Sequence, residues 1–63
     1  MTAEQETRLA EQIAALHDTV AELADTWDNG AGPGDGLTRA RLKQLTLRAA
    51  VHLLRVQDAL QRS

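Results

Sequence analysis

A chain of 63 residues without cysteine buries a smaller fraction of its surface than a full-sized domain and has no disulfide or thiolate-bound metal to compensate. With 43% hydrophobic and 25% charged residues it reads as a folded protein rather than a disordered tail, and Trp27 as the one aromatic residue gives no platform for stacked bases or sugars. The net charge of −2 argues against a general polyanion binder, and neither a membrane-spanning run nor a basic leader is present, so a cytoplasmic protein is expected. Six of the seven basic residues are arginine, a bias that, with abundant Ala and Gly, is expected of a GC-rich bacterial genome.

Near the N-terminus, Thr2 and Gln5 have the spacing of a capping box, which predicts a helix over about residues 3–28. Leu9, Ile13, Leu16, Val20, Leu23 and Trp27 follow at alternating steps of four and three. That rhythm is a heptad seam, with Leu9, Leu16 and Leu23 in one core register and Ile13, Val20 and Trp27 in the other. Ala10, Ala14, Ala21 and Ala24 flank the seam on one side, where small side chains let a second helix come close.

The stretch DNGAGPGDG, Asp28 to Gly36, holds all four glycines and the single proline. Asn29 and Gly30 can adopt the left-handed conformation that closes a helix, and Pro33 stops its continuation, so residues 29–37 read as a linker. A phosphate-binding loop is excluded on three counts: a helix precedes it rather than a strand, Leu37 rather than Lys follows Gly36, and GAGPG lacks the GxGxxG spacing. The linker is long enough to fold back on its own chain or to reach another subunit.

Thr38 as a cap, with Leu37 and Leu42 placed as a hydrophobic staple, predicts a second helix over about residues 38–61. At 100° per residue, Leu42, Leu45, Ala49, Leu53, Val56 and Leu60 share one face, while Leu47, Val51 and Leu54 lie on roughly the opposite side. One partner helix cannot cover both faces. The expected fold is therefore all-α, a single domain of two antiparallel helices that dimerises into a four-helix bundle.

Charge divides unevenly along the chain. Residues 1–30 carry a net −6 and residues 31–63 a net +4. Glu4, Glu11, Asp18 and Asp25 recur every seven residues, as do Arg41, Arg48, Arg55 and Arg62, so each set forms a row along its helix. Such complementary rows favour antiparallel or intersubunit pairing, although each exposed ion pair contributes only about 0–1 kcal/mol.

His17 and His52 would lie at about the same level of an antiparallel hairpin, but neither has another ligand type on its helical neighbours, and the Glu-x-x-His pattern of di-iron bundles is absent. No metal, cofactor or small-molecule substrate is expected. Without Cys, and with Ser only at Ser63, nucleophilic catalysis has no good candidate beyond threonine, so the chain is not expected to be an enzyme. These observations point to a self-associating assembly, adaptor or accessory module whose partner is a second copy or another protein. Leu47, Val51 and Leu54, with Arg41, Arg48 and Arg55, are its candidate binding residues. The alternative is a nucleic-acid-associated regulator using the arginine row.

Overall fold

The N-terminal capping box forms as its spacing predicts. The Gln5 N–H donates to Thr2 Oγ1 at 3.2 Å and the Thr2 N–H donates to Gln5 Oε1 at 2.8 Å, satisfying two of the donors that a helix start leaves open. Helix α1 runs from there over Ala3–Asn29. A second helix, α2, covers Gly36–Arg62 and packs along the first in the computed structural model, which describes residues 1–30 and 34–62. The expectation attached to Pro33 lies outside the described residues.

Both helix ends at the turn differ from the sequence expectation. Gly30 has φ −80° and ψ 165°, extended rather than left-handed, and its lack of a side chain serves proximity instead. A Cβ built there would stand 2.7 Å from Thr38 Cγ2 and 2.8 Å from the Thr26 carbonyl oxygen. Helix α2 begins two residues earlier than expected because Asp35, not Thr38, caps it. The Asp35 carboxylate accepts from the Thr38 N–H at 3.3 Å and from the Thr38 hydroxyl at 2.7 Å, and the Asp35 carbonyl accepts from the Arg39 N–H. Leu37 is thereby inside the helix and 83% exposed, so the staple with Leu42 does not form.

Gly30 lies beside Thr38, Glu22 pairs with Arg41, and Arg8 shares a cleft with Arg55 and Arg62. These contacts descend α1 while they ascend α2, so the helices are antiparallel. The hairpin measures 46 × 15 × 10 Å between its Cα extremes.

The seam between the helices is where the residue assignment changes most. On α1, Leu9, Leu16 and Leu23 are half-buried as one register, but the other register is Gln12, Thr19 and Thr26 rather than Ile13, Val20 and Trp27. On α2, the inner rows are Thr38, Leu45, His52 and Ala59 beside Leu42, Ala49 and Val56, while Leu53 and Leu60 turn outward. Helix α1 is thus rotated by about 50° from the face its apolar spacing suggests, whereas α2 keeps Leu42, Leu45, Ala49 and Val56 of its expected face and turns by less.

Threonine suits this seam because its hydroxyl is bonded within its own helix. Thr19 Oγ1 donates to the Ala15 carbonyl and Thr26 Oγ1 to the Glu22 carbonyl, each at 2.8 Å, leaving the methyl groups for the partner helix. Small residues then let the two backbones approach. Leu45 is the one fully buried large side chain among the described residues, with Val56 at 9%.

Candidate interaction surface

The rotation of the seam sorts the remaining side chains onto two broad faces. Ile13, Val20 and Trp27 stand four residues after the seam row of Leu9, Leu16 and Leu23; Thr46, Leu53 and Leu60 stand four residues after that of Leu42, Ala49 and Val56. In an antiparallel pair, flanking rows with the same offset lie on the same side of the hairpin. One broad face therefore presents Ile13, Val20, Trp27, Leu53 and Leu60, all between 48 and 54% exposed, over the half-buried leucines beneath.

The opposite face belongs to the other flanking rows, Arg8, Ala15 and Glu22 on α1 and Arg41, Arg48, Arg55 and Arg62 on α2. Arg41 reaches across it to pair with Glu22, which identifies the side. Arg62 Nε donates to Asp58 Oδ1 at 3.1 Å within α2, and Arg48 and Arg55 have no ion-pair partner among the described residues. Near the free ends of the helices this face holds a shallow cleft of about 290 Å³, lined by Gln5, Arg8, Gln12, Arg55, Asp58 and Arg62. The buried Gln12 Oε1 has no hydrogen-bond partner there among the described residues.

The candidate residues Leu47, Val51 and Leu54 occupy neither broad face. They form a ridge along the outer edge of α2, away from the seam, with Leu47 and Leu54 at 69 and 64% exposure. The corresponding outer edge of α1 is Thr7, Ala14 and Ala21, bordered by Glu4, Glu11, Asp18 and Asp25 and all exposed. The heptad pattern separates this edge from Leu53 and Leu60 but assigns those two, with Ile13, Val20 and Trp27, to the seam, so the broad apolar face emerges only from the structure.

The two histidines are separated by the same sorting. His17 stands outward on α1, its Nδ1 3.7 Å from Asp18 Oδ1, whereas His52 is half-buried in the seam. Among the described residues no group of three His, Asp or Glu side chains converges as a metal site, and no helix is long and apolar enough to cross a membrane. Comparison with known protein families, curated proteins and solved structures finds no match to this chain.

The hairpin presents more surface than a compact chain of its mass. A compact monomer of 6.9 kDa would present about 4,000 Å², whereas this one presents 4767 Å². That surplus is what an elongated two-helix shape, 46 Å in its longest dimension, leaves uncovered.

Proposed function

We propose that this chain is a non-enzymatic cytoplasmic module for protein–protein assembly, and that two copies stack their apolar faces into a four-helix bundle. The observation that carries the reading is the concentration of five large, half-exposed apolar side chains on one side of a hairpin that fully buries a single leucine. Contiguous apolar surface of this extent marks an interaction site. A hairpin of this size is itself secured by oligomerisation. Two such faces brought together bury Ile13, Val20, Trp27, Leu53 and Leu60 around a common core, and a C2 axis through the face makes the contact self-complementary.

The test is the mass of the pure protein in solution, by light scattering or sedimentation, for the native chain and for the double variant Ile13→Glu/Val20→Glu. The native chain is expected to be at least a dimer. The variant is expected to lose that contact, because unpaired carboxylates in an apolar interface cost several kcal/mol. A native chain that stays monomeric at every concentration, or a double variant with unchanged mass and stability, overturns the reading. A second reading, regulation through nucleic-acid binding, draws on one observation, the two arginines Arg48 and Arg55 that have no ion-pair partner among the described residues.

A further inference from the structure

Stacking the broad faces leaves the ridge of Leu47, Val51 and Leu54 on the outside. We propose that this edge of α2 docks on the outer edge of α1 in another copy, so that hairpins join side by side as well as face to face. The occupant is a second copy of the chain, and the argument rests on matched charge and matched shape.

The charge match is one of position as well as sign. The arginine row of α2 and the acidic row of α1 both repeat every seven residues, about 10.5 Å along a helix. Within one hairpin, the contacts of Gly30 with Thr38 and of Glu22 with Arg41 bring Asp18 to about the level of Arg48 and Glu11 to about the level of Arg55. A copy displaced sideways by one hairpin width, without rotation, keeps those levels. Its α1 then runs antiparallel to the α2 it meets, and Asp18 comes beside Arg48 and Glu11 beside Arg55 along one border of the contact. The other two members of each row, Asp25 with Arg41 and Glu4 with Arg62, fall into the same register.

The shapes also complement each other. The ridge of α2 offers large side chains, Leu47 and Leu54, while the edge of α1 offers Ala14 and Ala21 on its outward side. Leucine against alanine is how ridges enter grooves between closely packed helices. The two edges are different surfaces, so the contact is heterologous, and repetition leads to a ring or an open ribbon rather than to a closed dimer.

Two charge-reversal variants test this, one with Arg48→Glu/Arg55→Glu and one with Glu11→Arg/Asp18→Arg. At low ionic strength the native chain is expected to form species larger than the face-to-face dimer, reverting to it near 1 M salt as ion pairing is screened. Each variant alone is expected to stop at the dimer, with helical circular dichroism retained as the sign that it still folds. An equimolar mixture is expected to recover the larger species, because the reversed edge of each meets the reversed edge of the other. Full-sized assemblies from either variant alone, failure of the mixture to recover them, or a native chain that never passes the dimer overturns the proposal. The broad-face variant Ile13→Glu/Val20→Glu keeps both edges, so salt-sensitive association in it separates failure of the face-to-face contact from failure of this one.

Discussion

At the scale of single residues, the turn end of the hairpin is fixed by Gly30 and Asp35. A methyl group at position 30 would meet both a backbone carbonyl and the side chain of the buried Thr38, neither free to move without disturbing a helix. Gly30→Ala is expected to destabilise the fold by about 1–3 kcal/mol, the usual cost of overpacking, as measured by thermal or urea unfolding. Asp35 gives a second handle. The hydrogen bonds from Thr38, its side chain first and then its backbone N–H, hold the Asp35 carboxyl below its ordinary value. A lowered folded-state pKa means that the unfolded chain binds the proton more readily, so this contribution is present in full above the unfolded value and is lost as pH falls through the folded one. Stability should therefore decline on the acid side of the carboxylate range. Asp35→Asn keeps an oxygen to accept from Thr38 and is expected to remove part of that acid decline while altering the neutral midpoint little. An acid limb identical to that of the native chain would contradict the assignment.

At the scale of the helices, the arginine row of α2 invites a direct test of the nucleic-acid reading. Arg41 is tied to Glu22 and Arg62 to Asp58, while the acidic row of α1 borders the same side of the molecule and repels phosphate. Negligible affinity for duplex DNA or RNA is expected near physiological salt. If Arg48 and Arg55 do bind phosphates, affinity at low salt should fall steeply as salt rises, and Arg48→Gln/Arg55→Gln should reduce the slope by about one unit for each contact removed. Such a salt-sensitive complex, lost in the variant, would favour the regulator.

The helices themselves were legible in the sequence because their signals are local. Thr2 with Gln5 and the seven-residue spacing of apolar side chains require no knowledge of the partner helix. Their rotation was not legible, because Leu9, Leu16 and Leu23 can be completed into a seam by either neighbouring row. Hydrophobicity favours Ile13, Val20 and Trp27, yet the row that packs is Gln12, Thr19 and Thr26, where the two threonines satisfy their own hydroxyls within α1. The start of α2 was misread for a related reason. Asp35 and Thr38 are both good caps, and only the bond from the Thr38 hydroxyl to the Asp35 carboxylate decides between them. The candidate residues on the outer edge of α2 were visible as a ridge, but the broad apolar face became distinct only once the seam was known.

For the molecule as a whole, the seam chosen by the hairpin leaves most of its large apolar side chains outside the helix–helix contact. A pair of helices joined through threonine, alanine and one fully buried leucine has little apolar burial of its own, whereas the residues that would supply it stand half-exposed on one side. If those residues are covered by a second copy, unfolding includes dissociation and mass action enters the unfolding equilibrium. A tenfold change in chain concentration is then worth about 1.4 kcal/mol per dimer, or about 0.7 kcal/mol per chain. In a domain this small 1 kcal/mol moves the thermal midpoint by about 4–8 °C. The midpoint is thus expected to rise by roughly 3–6 °C for each tenfold increase in concentration, followed by circular dichroism at high salt so that the side-by-side contact is screened. In Ile13→Glu/Val20→Glu it is expected to be lower and independent of concentration, since the face that couples folding to pairing has been removed. A native midpoint that ignores concentration over two orders of magnitude would mean that the hairpin is stable alone and that its apolar face serves some other contact.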